Sequence, residues 1–453
     1  MEKNCMREHW GSRLGFILAA LGSAIGLGTL WKFPYITGEN GGGLFVLCYL
    51  LFTFFLGVPL FIGELLLGRR TQRGAVGVFA ELSGEGSGWQ TVGWLGVASS
   101  LFILAYYSVV AGWGLNYLML SLNQFYEVQP IDQISGVFET LYQSGDISLF
   151  WAIIFLLMTF GVVFHGIRKG VELWSRILTT ALLILLVAMG IYACTLEGFG
   201  QAVQFLFRVD FKALKFTGIL EALGLSLFTL SLAQGIILTY GSYLRPSDDL
   251  PKMSLIVGSA VIIVSIMTAL VLFPVIFTFN LPLQAGTGLV FETLPLLFAS
   301  LPGSMILSTF FFALFVFTAL TSAIALLEVL VANLIDLYHF SRKKAVIFST
   351  LAAFIVGIPC ALAGSQDLFK AWLPMYGVNF FGSLDAIVSN WILPAGGFLV
   401  AFYLGWHLKK DLVKEAFYQG TAMKGLFSVW FFVIRWVAPV AIALIFLEQG
   451  LKY

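Results

Sequence analysis

The stretch Gly22-Ser23-Ala24-Ile25-Gly26-Leu27-Gly28 decides how this chain is read, because three glycines in seven residues interrupt an apolar run from Ser12 to Ile36. Glycine costs about 1 kcal/mol relative to alanine in a helix interior, so the segment is predicted to open. Opening frees backbone N–H and C=O groups, which cannot face lipid and must line a cavity or bind something. The opened ends also carry the helix partial charges: N–H groups suit a carboxylate, and carbonyls suit a cation or an ammonium. A helix broken there is a zwitterion site. The alternative is that the glycines only let neighbouring helices pack closely, as they commonly do in membranes.

Composition makes the surrounding run a membrane span. Of 453 residues, 59% are hydrophobic and 11% charged, and mean hydropathy is +0.94, whereas a soluble domain carries about 25% charged residues. A hydrocarbon core of roughly 30 Å takes about 20 apolar residues of helix. Such runs recur at Ser12–Ile36, Gly43–Gly68, Trp94–Leu122, Ser148–Phe164, Trp174–Thr195, Phe216–Leu244, Ser254–Phe279, Met305–Leu337, Ala345–Ala363, Trp372–Trp406 and Phe427–Leu447. The expectation is an all-α polytopic membrane protein of eleven spans, one transmembrane domain over residues 1–453. The runs are continuous and do not alternate, which excludes a membrane β-barrel. Acidic as well as basic residues precede the long first run, unlike a cleaved signal peptide.

Lys and Arg gather in every second loop, as the positive-inside rule requires of cytoplasmic segments. The sequence begins with Lys3, Arg7 and Arg13. The excess repeats at Arg69, Arg70 and Arg73; Arg168, Lys169 and Arg176; Arg245 and Lys252; Arg342, Lys343 and Lys344; and Lys409, Lys410, Lys414 and Lys424. These are eighteen of the 25 basic residues, and the segment from Asn123 to Asp146 has none. An odd number of spans, with a cytoplasmic N-terminus and an external C-terminus, satisfies the pattern. The expected location is the cell membrane.

Net charge is +1 without a basic cluster, so no nucleic-acid partner is expected. Cys5, Cys48, Cys194 and Cys360 lack metal-ligand spacing and read as packing residues. His9, His165, His339 and His407 fall near cytoplasmic helix ends, and neither HExxH nor GxSxG occurs, so an enzyme is not expected. A monomer and a homodimer both remain open.

The sixth run contains a second interruption, Thr229-Leu230-Ser231-Leu232-Ala233-Gln234-Gly235. Spans one and six hold corresponding places in two five-helix halves. Paired breaks of this kind mark transporters built from inverted repeats, with the site at the repeat interface.

Here the sequence resembles the neurotransmitter:sodium symporter (solute carrier 6) family, and its bacterial amino-acid transporters most of all. The resemblance runs from Arg7-Glu8-His9-Trp10 to the eleventh span. It rests on Gly22 to Tyr35, Glu39-Asn40-Gly41-Gly42-Gly43, Gly63-Glu64, Gly68-Arg69, Tyr106-Tyr107, Phe228 to Leu232, Thr239-Tyr240-Gly241-Ser242-Tyr243 and Leu320-Thr321-Ser322-Ala323-Ile324. The inverted-repeat rule is itself drawn partly from this family. The resemblance implies a LeuT-type fold: a first repeat over 12–195, an inverted second over 216–406, and an extra helix at 427–447. It also implies sodium-coupled symport of a neutral L-amino acid by alternating access. A sensor of the same fold that binds without transporting is the alternative.

By resemblance, the substrate carboxylate meets the N–H groups around Leu27 and Gly28 and the Tyr107 hydroxyl. The ammonium meets carbonyls of Ala24, Phe228 and Thr229 and the Ser231 hydroxyl. Gly26 occupies the position where members carrying monoamines have an aspartate, which points to a substrate with its own carboxylate. The side-chain pocket is Ile103, Tyr107, Phe228, Gln234, Ser322 and Leu326. An unpartnered buried amide costs about 1–3 kcal/mol, so Gln234 bonds either backbone or substrate.

Sodium, like calcium, is a hard cation that takes oxygen ligands. The family's second sodium site corresponds to Thr321 and Ser322 with carbonyls of Gly22, Ile25 and Thr318. The first loses two ligands, to Thr29 and Val261, leaving Ala24, Thr229 and the substrate carboxylate; it is expected to hold sodium weakly or not at all. Leu225 replaces the chloride-site glutamine while Tyr49, Thr229 and Ser265 remain, which leaves chloride dependence open. Glu64 is expected to brace the opened segments, because an ionisable group at membrane depth is a functional candidate. Glu328 and Asp385 are candidates to titrate. A cytoplasmic gate pairs Arg7 with Asp336, supported by Trp10 and Tyr243. At the outer gate Lys32 faces a second cation, Lys370. Either Asp367 substitutes or Phe228 and Tyr107 close the site as an aromatic lid.

Overall fold

The computed structural model describes residues 7–123, 134, 136–211, 214–279, 288–365 and 372–452, and among these there are helices and connecting turns but no β-strand. Among the described residues nine helices are long and apolar enough to cross a membrane unbroken: Gly43–Thr71, Gln90–Leu122, Gly145–Phe164, Ile167–Ala193, Leu250–Thr278, Ser304–Tyr338, Arg342–Ala361, Phe380–His407 and Lys424–Phe446. The two expected spans missing from that series are the first and the sixth, and both are broken where the sequence predicts.

Span one begins at Arg13, where the Ser12 side chain caps it by accepting from the Gly15 N–H at 2.9 Å. The Glu172 carboxylate accepts from the N–H groups of Gly11 (2.6 Å) and Ser12 (3.1 Å), satisfying donors the helix leaves free. The helix stops at Ala24, since Ile25 has φ −80° and ψ 74°. It resumes through a π-helical turn at Gly28–Lys32 and the helix Phe33–Glu39, bent by 53° from the first part. Span six is Phe216–Thr229 and Ile236–Gly241, each too short to cross alone. Between them Ser231, Ala233 and Gly235 have φ of 54°, 61° and 74°. The two non-glycine residues in left-handed backbone cost about 1–3 kcal/mol each, so surrounding contacts must impose this conformation.

Burial orders the helices into an inner and an outer set. The most apolar window of the eighth span, Ser304–Tyr338, is 83% buried inside the protein, against 33% for the fifth and eleventh. The eighth span packs along the third, Gln90–Leu122, and touches spans one and five. Broken backbone thus lies among other helices and away from lipid, as its unsatisfied groups demand.

The start of span ten and the connecting helices differ from expectation. Span ten does not begin at Trp372: a short helix, Trp372–Tyr376, ends before Gly377 (φ 72°), and the span starts at Phe380. The Asn379 side chain caps it, accepting from the Gly382 N–H at 2.7 Å. The connecting helices Ala75–Ser83, Phe199–Phe207 and Lys410–Tyr418 escaped the sequence reading because they are too short to show as apolar runs. Cys48, Cys194 and Cys360 are free thiols, and Cys5 lies outside the described residues.

Candidate functional site

The two breaks meet. Around them is a small pocket lined by Ala24, Gly26, Leu27, Gly28, Ile103, Tyr107, Phe228, Thr229, Ser231, Gln234, Ser322 and Leu326, together with Ser23 and Ile236. All twelve residues expected around a substrate are therefore brought to one place, from spans one, three, six and eight. The Tyr107 hydroxyl accepts from the Leu27 N–H at 3.3 Å, which marks the donor-rich end of the cavity. The glycines are needed for closeness: a Cβ on Gly26 would lie 2.9 Å from Ser322 Oγ, and one on Gly28 would lie 2.6 Å from the Phe228 ring.

Hydroxyls and one carboxylate hold the opened backbone. The Ser23 carbonyl accepts from Ser231 Oγ (2.9 Å) and Ser322 Oγ (3.1 Å), joining spans one, six and eight at a single oxygen. From span three, Ser100 Oγ donates to the Gln234 carbonyl at 2.5 Å and Ser99 Oγ to the Ala233 carbonyl at 3.5 Å. Glu64 Oε1 accepts from the Ala233 N–H at 2.8 Å, while its Oε2 is buried without a partner among the described residues. These bonds fix the left-handed residues of span six. The expected brace at Glu64 is seen toward span six, and the serines of span three were missed. A pair of adjacent hydroxyls in an apolar span was the available signal.

Gln234 is 5% exposed. Its backbone is bonded, but its side-chain amide makes no hydrogen bond among the described residues. Of the two readings left open by the sequence, bonding to protein backbone is not what the fold shows.

Oxygens for a cation converge beside this pocket. Thr321 Oγ donates to the Thr318 carbonyl at 3.0 Å and Ser322 Oγ lies 3.4 Å from the Gly22 carbonyl. A Cβ on Gly22 would clash with Thr179 Oγ1 and lie 3.0 Å from Thr321 Cβ, so Gly22 lets the Thr321 side chain approach span one closely. At the expected first site, Thr29 donates to the Ala24 carbonyl at 3.2 Å, and Thr229 donates to Leu225 of its own helix at 2.9 Å. Val261 is fully buried there and brings no oxygen. The Tyr49 hydroxyl bridges Thr229 (3.0 Å) and Ser265 (3.1 Å), and Ser265 donates to Val261 of its own helix.

The two sides of the pocket are closed unequally. Toward the N-terminus, Arg7 grips Asp336 through both oxygens at 2.6 and 2.7 Å and donates to Ser242 Oγ, its guanidinium lying 4.8 Å from the Tyr243 ring centre. Trp10 is buried above, donating to the Tyr240 carbonyl at 3.0 Å. Below the pocket Tyr243 donates to Glu328 at 2.7 Å, and Glu328 pairs with Arg342 at 2.6 Å. On the opposite side an open vestibule is lined by Lys32, Phe228 and Asp385 among others. Lys32 Nζ lies 3.2 Å from Asp385 and 4.6 Å from the Phe228 ring centre. Lys370 and Asp367 lie outside the described residues. Beside Lys32 the structure puts Asp385, a residue expected only to titrate, together with the aromatic ring. The Arg7 and Asp336 side chains are 14% and 8% exposed, those of Lys32 and Asp385 20% and 30%. Breaking a buried pair costs about 3–5 kcal/mol, whereas an exposed one contributes about 0–1 kcal/mol. The Lys32 side is the weaker closure.

Discontinuous spans one and six around a central pocket, with a closure on either side, define a secondary transporter. A model of the sodium:neurotransmitter symporter family matches residues 7–129 and 123–453, and the chain belongs to that family: it is a multi-pass membrane transporter, a sodium-dependent symporter with the LeuT-type fold. It is 36% identical over 440 residues to the sodium-dependent transporter YhdH of Bacillus subtilis, covering 97% of each chain. It is 31% identical to the sodium-dependent transporter MJ1319 of Methanocaldococcus jannaschii, covering 98% of this chain and 91% of that one. Among solved structures, MhsT in complex with L-phenylalanine superposes with a TM-score of 0.89 at 38% identity, over 97% of this chain and 99% of the other.

Proposed function

We propose that this symporter carries a neutral L-amino acid inward with sodium by alternating access, with residues 12–195 and 216–406 as its two repeats and 427–447 as an added helix. The observation that carries the reading is the pocket where both helix breaks meet, which gathers Leu27 and Tyr107 from spans one and three with Ser231 and Thr229 from span six on one lining. Such a pairing suits the two ends of one zwitterion. The complex of MhsT with L-phenylalanine supports an amino acid as cargo. The unpartnered Gln234 amide favours a side chain with some polar character, and Gly26 leaves the carboxylate to the substrate.

Thr321 and Ser322 with the carbonyls of Gly22, Ile25 and Thr318 would hold one sodium firmly. The other site, at Ala24, Thr29 and Thr229, is weak or absent, since Val261 offers no oxygen where the family has a ligand. With the N-terminus cytoplasmic, Arg7, Trp10, Tyr243 and Asp336 form the inner gate and Lys32 the outer one. A weakened ion site also favours the competing reading, a sensor that binds without transport. Uptake of each radiolabelled amino acid into proteoliposomes, with sodium or potassium outside, tests the proposal. Sodium-driven accumulation of one subset is expected, with a Hill coefficient near one. Tight binding without accumulation would favour the sensor, and a sodium-to-substrate stoichiometry of two to one would refute the single-site reading.

A further inference from the structure

Arg435 lies within span eleven, Lys424–Phe446, and nothing in the transport site uses it. Among the described residues it takes part in no ion pair and donates no hydrogen bond, and its Nε is buried without a partner. Arginines in membrane spans are costly and almost always paired. Here the guanidinium stacks instead, 4.5 Å from the Trp406 ring centre and 5.7 Å from that of Trp436. Stacking engages the face of the guanidinium, and with Nε buried it is the terminal Nη edge that stays free, an edge that matches the geometry of a phosphate or carboxylate.

The level of the charge follows from its neighbours. Trp406 is the penultimate residue of span ten, Phe380–His407, and its indole donates to the Arg435 carbonyl at 2.9 Å. A Cβ on Gly405 would lie 2.8 Å from Arg435 Cα, so the two helices touch there. Arg435 is therefore level with the point where span ten leaves the membrane. The two indoles meet edge to face at 4.6 Å and are 43% and 49% exposed, as tryptophans at headgroup level are. The same end carries Lys409, Lys410, Lys414 and Lys424 on the connecting segment. Further into the membrane, one and two turns beyond Trp436 on the same helix face, Val440 and Leu444 are 62% and 40% exposed, an apolar face for an acyl chain.

We propose that Arg435, seated on Trp406 and Trp436, binds the headgroup phosphate of an anionic phospholipid at the lysine-rich face of the membrane. The positive loop attracts such lipids to this face, the guanidinium edge takes the phosphate oxygens, and Val440 and Leu444 receive the chain.

The test is delipidated full-length protein titrated with dioleoyl phosphatidylglycerol or dioleoyl phosphatidylcholine, with bound lipid read by native mass spectrometry. Wild type should retain one phosphatidylglycerol in preference to phosphatidylcholine, and Arg435→Gln should bind it at least about fivefold more weakly, the loss of one basic contact near the surface. Arg435→Lys, which keeps the charge but not the planar edge, should fall between them, and it carries the test if the glutamine variant fails to fold. Equal retention of the two lipids, or phosphatidylglycerol binding unchanged by either variant, would overturn the proposal. So would inorganic phosphate competing as well as the lipid, which would make this a free-anion site, or a loss seen only with Lys410→Gln and Lys414→Gln, which would make the attraction diffuse.

Discussion

Replacing Gln234 by leucine tests the pocket chemistry directly, because the two side chains have similar volume and differ in the amide. In the structure that amide is 5% exposed and unpartnered among the described residues. Leaving such a group unbonded costs about 1–3 kcal/mol. If the substrate supplies its partner, Gln234→Leu removes that much binding energy for a polar side chain, about 5- to 150-fold in affinity. Leucine or phenylalanine should bind as well or better, since the desolvated amide is gone. Protein stability should hold or rise, as no bond within the protein is lost. The assay is sodium-dependent binding of a matched series, such as glutamine against leucine and serine against alanine, on purified wild type and variant. A polar-to-apolar affinity ratio changed by less than about twofold would refute the reasoning and leave Gln234 as pocket wall.

Other substitutions test the remaining parts. Thr321→Val keeps shape and loses an oxygen; hydrogen bonds to charged groups contribute about 1.5–3 kcal/mol, so half-saturating sodium should rise by about 10- to 150-fold, and an unchanged sodium titration would remove Thr321 from the site. Arg7→Ala breaks a buried bidentate pair and should open the side that faces the N-terminus, read as faster labelling of a cysteine placed at Ser242. Lys32→Met at the more exposed pair should alter affinity by less than about fivefold, and a loss of all binding would mark that closure as obligatory. Transport should persist with gluconate in place of chloride, because Thr229 and Ser265 donate to their own helices and Leu225 adds no donor; uptake abolished without chloride would overturn that expectation.

The sequence by itself determined the class of protein and the places where helices break. Apolar runs of span length decide the solvent, and Gly22, Gly26 and Gly28 weaken one helix through local backbone preferences that need no partner. The second break was legible only as a motif: Ser231 and Ala233 are not residues that choose left-handed backbone, and it takes Ser23 and Glu64 from distant spans to hold them there. The outer closure was less legible still. Lys32 and Asp385 are 353 residues apart, and a charge in one span does not name its partner in another until packing brings them together. Ser322 shows the same limit within a single residue. A hydroxyl in an apolar helix bonds its own backbone by default, as Thr321 does, and it is the face turned toward span one that gives Ser322 the carbonyls of Gly22 and Ser23 instead. Periodicity and propensity act along the chain and can be read there, whereas pairing across helices depends on tertiary packing.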